Sequence, residues 1–190
     1  MRWNLGCLAL IAAAIAAGPL HAQAGGEAAP DEPPVCDPAT AALAASSDGA
    51  GSDGASAPAV LDALVGEWRG AGALFDSDAR FFMRWEPSLD GRFLELRYEI
   101  EGPVSMESRA FYLLGAGDEL RGTWIDTRGE FLDLVATATD SSLATEWTSS
   151  SETGRTVYRL VGPDAIEVCD FVRDDHGWRP FGTARYARSD

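Results

Sequence analysis

Apolar and polar residues alternate one by one through much of the chain beyond residue 66. The segment 94–101 shows this most clearly, because its even-numbered positions are Leu, Leu, Tyr and Ile while its odd-numbered positions are Glu, Arg, Glu and Glu. The segment 80–86 follows the same pattern, with Phe81, Met83 and Trp85 on one side. A period of two is typical of β-strands that bury one face. This part of the chain is therefore predicted to be β-structure.

Turn-forming residues interrupt the alternation about every twelve residues and leave ten segments rich in aromatic and β-branched residues. The nine turn signals lie at residues 76–78, 90–91, 102–103, 115–118, 128–129, 140–142, 152–154, 162–164 and 174–177. Strands joined by such short turns form an antiparallel meander, and closure of the sheet removes its exposed edges. We therefore predict an all-β fold, a closed antiparallel up-and-down barrel of about ten strands.

One short helix is predicted immediately before the first strand. Pro58 suits the first turn of a helix, Ser56 or Ala57 would cap it, and Gly66 ends it. An apolar stripe at helical spacing is formed by Val60, Leu61, Leu64 and Val65. One face of this helix must therefore pack against an apolar surface, which makes it a candidate plug for the barrel.

The N-terminal part of the chain has the pattern of an export signal. A continuous apolar run from Leu5 to Ala17 is followed by Ala22-Gln23-Ala24, which fits the small-residue rule for cleavage. The run is too short to span a membrane, and Cys7 precedes the apolar core, whereas the cysteine of a lipid-anchor signal follows it. We predict a signal peptide at 1–24 and a protein exported to the periplasm or the extracellular space, with no membrane insertion after cleavage.

Residues 25–57 consist almost entirely of Ala, Gly, Ser, Asp and Pro. Such a segment has too little apolar surface to offset the entropy of ordering, so we predict a disordered linker. The barrel domain is then expected to span residues 58–190.

The run Gly66-Glu67-Trp68 after a short helix resembles the opening of the calycin barrels, which include lipocalins, fatty-acid-binding proteins and nitrobindins. From Leu64 to Arg188 the chain is also similar to an uncharacterised family of exported bacterial domains. Four motifs carry this second resemblance: Gly66-Glu67-Trp68-Arg69-Gly70, Asp90-Gly91-Arg92-Phe93-Leu94, Gly122-Thr123-Trp124-Ile125-Asp126 and Tyr186-Ala187-Arg188. The resemblance implies a barrel closed at one end by the helix.

Closure of a ten-stranded meander also predicts a contact between Trp68 and Arg188, because the end of the last strand then lies beside the start of the first. Calycins resemble this arrangement, with an Arg lying across that Trp. A guanidinium over an indole ring stabilises the folded protein by about 0.5–2 kcal/mol. We assign the pair a structural role. In the alternative, Arg188 and Tyr186 anchor a ligand carboxylate, although fatty-acid-binding proteins use Arg-x-Tyr where this chain has Tyr-x-Arg.

Signal cleavage would leave two cysteines, Cys36 and Cys169, in an oxidising compartment where disulfides persist. The sequence leaves two alternatives open. The cysteines form one long-range disulfide, or they are unrelated thiols with Cys169 packed in the core.

The formal charge of −15 excludes ordinary nucleic-acid partners and disfavours anionic membrane surfaces, since both require basic residues. Oligomeric state and ligand identity are not encoded in any pattern that we recognise. The net negative charge by itself therefore does not identify a binding partner.

Metal and cofactor chemistry has little basis in the residues. Nitrobindin-like barrels bind haem through a His on a late strand, but His176 lies in a polar turn beside Asp174 and Asp175. Three neighbouring residues cannot readily converge on one metal ion, so we predict no metal and no cofactor.

No catalytic residues are assigned either, because the sequence offers no nucleophile, base and orienting group together. Asp126 shares strand parity with Leu120 and Trp124, so its carboxylate is placed at the cavity rim. If burial raised its pKa, Asp126 could act as a general base in a small-molecule enzyme.

Aromatic and acidic residues on the predicted strands are the candidates for ligand binding: Trp85, Tyr98, Tyr112, Trp124, Asp126, Trp147 and Tyr158. Calycin interiors hold small apolar ligands in this manner. We therefore expect a non-enzymatic binding protein for a small, largely apolar ligand. The alternatives are a filled barrel with a structural or interaction role, and an enzyme that uses a rim carboxylate.

Overall fold

The structure is a computed structural model that describes Cys36, residues 57–115 and residues 117–189. The predicted signal peptide (1–24) and nearly all of the predicted linker (25–57) lie outside the described residues. The domain boundaries therefore stay predictions.

Ten antiparallel strands form a closed barrel in which every strand pairs with its neighbours in the sequence and the last pairs with the first. The strands are β1 (Gly66–Leu74), β2 (Ser77–Ser88), β3 (Phe93–Glu101), β4 (Met106–Leu113), β5 (Glu119–Asp126), β6 (Phe131–Ala138), β7 (Ser142–Thr148), β8 (Thr153–Gly162), β9 (Ala165–Asp174) and β10 (Gly177–Ser189). The one helix that precedes them in the described part of the chain is α1 (Ala59–Leu64). The prediction of a closed up-and-down barrel of about ten strands with a short N-terminal helix is confirmed.

Every predicted turn falls at a connection between two strands, with shifts of one to three residues. The first turn consists of Phe75 and Asp76, which adopt positive φ angles of 49° and 59°. Such a two-residue turn matches the twist of a hairpin but strains a bulky residue such as Phe75. Its ring stacks on Phe181 with centroids 5.3 Å apart, and this tertiary contact helps to hold the turn in place.

The helix begins one residue later than the sequence predicts. Pro58, and not Ala57, occupies the N-cap position, and it makes no side-chain hydrogen bond there. The other predicted cap, Ser56, lies outside the described residues. Instead, the backbone N–H of Ala59 donates a hydrogen bond to Asp140 Oδ1 at 3.3 Å, from the β6–β7 connection. The prediction of Ala57 as the cap is therefore wrong, because Pro58 holds that position and a residue distant in sequence accepts the N–H of Ala59.

The helix closes one end of the barrel, which we call the closed end; odd-numbered strands begin there and finish at the open end. Val60, Leu61 and Leu64 are buried and belong to the same apolar cluster as the inward-facing strand residues.

Within the described part of the chain, no helix has the length and apolar character required to cross a bilayer.

A second apolar cluster lies on the outer face of the barrel. It contains Ala144, Val157, Cys169 and Phe171, which all point away from the interior yet are buried. Cys36 is bonded to Cys169 in a disulfide, with Cα atoms 5.6 Å apart, and packs on this cluster. The disulfide therefore holds the chain at Cys36 against an outer face that would otherwise expose apolar side chains.

Candidate functional site

The solvent exposure of inward-facing side chains differs between the two ends of the barrel. Near the closed end, Trp68, Trp85 and Leu143 are at most 1% exposed. Near the open end, six inward-facing residues keep intermediate exposure: Tyr98, Trp124, Trp147, Thr156, Asp170 and Phe181. Phe81 and Ile100, near the same end, are buried, whereas Leu160 near the closed end also keeps intermediate exposure. The accessible inward surface is therefore larger toward the open end, and we call these six residues the open-end cup.

The accessible surface of Thr156 and Asp170 faces the interior. These two residues sit opposite each other on β8 and β9. Their four outward-facing neighbours are at most 7% exposed: Arg155, Val157, Cys169 and Phe171. Because the outer face is covered at this level, the surface that remains belongs to the inside of the cup.

Aromatic rings form the walls of the cup. The ring of Tyr98 lies 5.9 Å from that of Trp124 and stacks on Phe81 at 6.2 Å between centroids. Trp147 meets the edge of Phe181 at 6.5 Å. Rings at such separations provide flat apolar surfaces that suit a small ligand.

Asp170 lies at the base of the cup. Thr156 Oγ1 donates a hydrogen bond of 2.7 Å to Asp170 Oδ1. The other oxygen, Oδ2, lies against Gly182, where an added Cβ would come within 2.9 Å of it. Burial raises the pKa of the Asp170 carboxyl from 3.8 to about 6, and the hydrogen bond from Thr156 offsets only part of this rise.

The charge of Asp170 acts on three tyrosines of the barrel interior. Burial is the largest cause of the raised pKa values of Tyr98, Tyr158 and Tyr186, and the negative charge of Asp170 adds to each. The hydroxyl of Tyr98 interacts with that of Tyr186, yet the buried Tyr186 hydroxyl makes no hydrogen bond of normal geometry with the described residues. The base of the cup thus holds unsatisfied hydrogen-bonding capacity.

Asp126 lies at the rim, where β5 ends. Its carboxylate accepts hydrogen bonds from Trp124 Nε1 at 3.2 Å and from the guanidinium of Arg128 at 2.6 Å. Burial by itself would raise the pKa of Asp126, but the hydrogen bonds from Arg128 and Trp124 outweigh it, so the pKa lies below the ordinary 3.8. The raised pKa that the general-base alternative requires is therefore not found. Asp126 Oδ1 instead caps the turn after β5, because it accepts the backbone N–H groups of Arg128 and Glu130.

The remaining sequence-predicted aromatics lie deeper, in the packed half of the barrel. Trp85 stacks on Tyr112 at 5.8 Å and meets Tyr158 edge-on at 5.3 Å. All three are at most 5% exposed. The hydroxyl of Tyr112 shares a hydrogen bond of 3.2 Å with Thr145 Oγ1, and burial raises the pKa of Tyr112 to about 12. The structure thus separates three packed aromatics from the three that reach the cup, Tyr98, Trp124 and Trp147.

Trp68 and Arg188 meet at the closed end, far from the cup. The Arg188 guanidinium carbon lies 4.1 Å above the centre of the indole ring. Its two terminal nitrogens donate to the backbone oxygens of Val65 and Ala63, at 2.7 and 2.8 Å. Arg188 thereby ties the last strand to the end of α1.

His176 lies in the turn between β9 and β10, where its backbone N–H donates to Asp174 Oδ1 at 2.8 Å. Among the residues that the structure describes, no three His, Cys, Asp or Glu side chains are grouped so as to hold a metal ion.

An open depression of about 580 Å³ lies near the His176 turn, between the β7–β8 loop and the β9–β10 hairpin. Its lining is mostly polar: Ser149, Ser150, Ser151, Glu152, Thr153, Val172, Arg173, Asp174 and Arg179.

The barrel is similar in fold to solved β-barrel structures. An S-type phycobiliprotein lyase from Guillardia theta superimposes with a TM-score of 0.52 at 8% identity, over 69% of this chain and 91% of that chain. A redesigned β-barrel, mFAP1, bound to DFHBI, gives a TM-score of 0.42 at 9% identity, over 68% of this chain and 99% of that one. At such low identity the likeness concerns the fold alone.

No protein-family model matches the sequence, and no curated protein is similar to it. The resemblance to an uncharacterised bacterial family therefore stays a prediction.

Sequence reasoning missed Asp170, Thr156 and Phe181. Asp170 alternates in phase with Ile166 and Val168, so a carboxylate on an apolar strand face was the signal that could have found it. The opposite face of β9 carries Cys169 and Phe171, which are equally apolar. Alternation alone therefore does not say which face of β9 points inward.

We expect Asp170→Asn to stabilise the protein at pH 8. The pKa of Asp170 is higher in the folded chain (about 6) than the ordinary 3.8, so its contribution to stability is fully present below pH 3.8 and is lost as the pH rises through 6. About two pKa units correspond to about 3 kcal/mol. Urea unfolding at a series of pH values should show the variant more stable by about this amount at pH 8, with the difference vanishing near pH 4.

Asp126→Asn is the matched control with the opposite sign. Because the pKa of Asp126 is lowered in the folded chain, the ionised carboxylate stabilises the fold above the ordinary pKa, and this contribution is lost as the pH falls. Removal of Asp126 should therefore destabilise the protein at pH 8. An Asp170→Asn variant that is no more stable than the wild type at pH 8 would show that Asp170 carries no buried charge.

Proposed function

We propose that this chain is an exported, non-enzymatic binding protein that holds a small, largely apolar ligand in the open-end cup. The observation that carries the proposal is the accessible inward surface toward the open end of the barrel, walled by Tyr98, Trp124, Trp147 and Phe181. Binding sites of small ligands are concave and mostly apolar, with a few placed polar groups, and Asp170 and Thr156 supply such groups here.

Export is supported by the signal-peptide pattern at 1–24 and, independently, by the bond between Cys36 and Cys169. Disulfides persist in the periplasm and outside the cell, and are rare in reducing compartments. The calycin-like opening at Gly66-Glu67-Trp68, after a short helix, supports membership of that group of ligand-binding barrels.

The second candidate is a filled barrel with a structural or interaction role. The packing of Trp85, Tyr112 and Tyr158 favours it, because these rings occupy the half of the barrel next to α1. The two candidates differ in what they predict for a small apolar probe. A cup binds it saturably, whereas a filled barrel does not.

The test uses N-phenyl-1-naphthylamine, a neutral apolar fluorophore. We expect saturable fluorescence enhancement with one probe per chain. Trp124→Ala should weaken binding by about tenfold, because it removes one wall of the cup. Phe131→Ala is the control, since Phe131 is 67% exposed on the neighbouring strand β6 and points outward.

Absence of saturable binding in the wild type would favour the filled barrel and contradict the proposed function. Equal affinities in Trp124→Ala, Phe131→Ala and wild type would show that the probe binds outside the cup. Native mass spectrometry of protein purified from its own host gives a second measurement, since a retained ligand adds a defined mass.

A further inference from the structure

Asp170 is an inward-facing carboxylate of intermediate exposure that forms no ion pair with a cation among the described residues. The described ion pairs lie elsewhere; on β9 itself, Glu167 points outward and pairs with Arg159 and Arg185. The rim carboxylate Asp126 has Arg128. A carboxylate in a partly desolvated site is stabilised by a positive charge, so Asp170 is a candidate acceptor for a cationic group of a ligand.

The hydrogen bonds at the base of the cup are also incomplete. Thr156 donates a hydrogen bond to Oδ1 of Asp170 only, and Oδ2 receives no hydrogen bond from the described residues. Gly182 allows the Asp170 carboxylate to lie against the backbone of β10, because a Cβ at residue 182 would come within 2.9 Å of Oδ2. The buried hydroxyl of Tyr186 likewise has no partner of normal geometry. Oδ2 of Asp170 therefore remains available to a donor on a ligand, while the Tyr186 hydroxyl already lies beside that of Tyr98.

Position along the strands sets the size of a suitable ligand. Asp170 is paired with Thr156, while Trp147 is paired with Gly154, two residues nearer the open end. Two residues of a strand correspond to about 7 Å. Along β8, the partner of Trp147 is thus about one ring diameter nearer the open end than the partner of Asp170.

We propose that the cup binds a small aromatic or alicyclic primary amine, with its ring between the aromatic walls and its ammonium group on the Asp170 carboxylate. The inference rests on the proposed function and adds the chemical class of the ligand. An ammonium supplies both a positive charge and a hydrogen-bond donor for Oδ2 of Asp170. A ligand carboxylate would instead place two negative charges together in a buried site, which disfavours it.

The experiment compares 1-naphthylmethylamine with 1-naphthalenemethanol, which has the same ring and a neutral head group. Titrations are followed by tryptophan fluorescence and calorimetry. In the wild type at pH 8, the amine should bind at least about tenfold tighter than the alcohol, as expected for a charge-assisted hydrogen bond. In Asp170→Asn the ratio should fall to about one, with the affinity for the alcohol nearly unchanged. Glu167→Gln, which removes an outward-facing carboxylate from the same strand, should keep the wild-type ratio.

A pH series on the wild type gives a readout that needs no variant. Since Asp170 takes up a proton as the pH falls through about 6, the affinity for the amine should decline over that range while the affinity for the alcohol stays level.

The outcomes separate the two proposals. If both probes bind but the alcohol binds as well as the amine, or if the preference survives in Asp170→Asn, the amine inference is overturned and the proposed function stands. If neither probe binds saturably, the proposed function and the amine inference both fail.

Discussion

Replacing Trp68 with alanine is expected to lower the free energy of unfolding by about 4 kcal/mol, the usual cost of deleting a buried indole. Trp68 is fully buried, and its indole N–H donates to the backbone oxygen of Leu64 at 2.8 Å. The substitution leaves a cavity beneath α1 and removes the surface on which Arg188 lies. Urea unfolding followed by far-UV circular dichroism measures the change, because strand content dominates the signal of this fold.

Phe131→Ala is the matched control for this large-to-small change. Phe131 is 67% exposed, so its loss should change stability by no more than about 0.5 kcal/mol. Similar losses at Trp68 and Phe131 would contradict the burial that the structure assigns to Trp68.

A double-mutant cycle with Arg188→Leu isolates the contact between guanidinium and indole. The two single changes should be non-additive by about 0.5–2 kcal/mol, the usual range for a cation over an aromatic ring. If Arg188→Leu instead left stability intact and abolished binding of N-phenyl-1-naphthylamine, Arg188 would be a ligand anchor and its structural role would be wrong.

Reduction of the Cys36–Cys169 bond is expected to produce the second large loss of stability. The bond closes a loop of 133 residues, for which the chain-entropy model gives an upper value of about 5 kcal/mol. At about 3 °C per kcal/mol for a domain of this size, the midpoint of thermal unfolding should fall by up to about 15 °C. Thermal scans with and without a thiol reductant measure the difference.

The Cys36→Ser variant provides the control for the reductant. It should already show the lowered midpoint and should respond no further to reduction, because the remaining Cys169 has lost its partner. An unfolded, unreduced wild-type protein that titrates two free thiols would contradict the bond itself. A midpoint that does not change on reduction would mean that the bond constrains the unfolded chain far less than its loop length implies.

The agreement between sequence and structure is best where the determining interactions are local. Side-chain alternation through 80–101 and the turn residues between segments are properties of a few neighbouring residues, and they placed the strands and connections. The start of the helix was predicted less well. Asp140, about 80 residues away, accepts the hydrogen bond that a local cap would otherwise accept.

The two aspartates show why the candidate site was harder to predict. Asp126 attracts attention because it follows Trp124 and Ile125, but hydrogen bonds from Arg128 lower its pKa. Asp170 sits between Cys169 and Phe171, so its strand has apolar side chains on both faces. Burial of that outer face against Cys36 is a tertiary contact, and no alternation pattern reveals it.

The sequence alone was enough to predict the strand order, the antiparallel closure and the contact between Trp68 and Arg188. The reason is that a meander with short turns has few ways other than closure to pair the backbone groups of its two edge strands. Only the tertiary structure decided which end of the barrel is packed and which is accessible, and that Asp170 rather than Asp126 has a raised pKa. The physical reason is that packing and desolvation depend on residues from several strands at one depth of the barrel, and depth is set by register and by contacts across the interior.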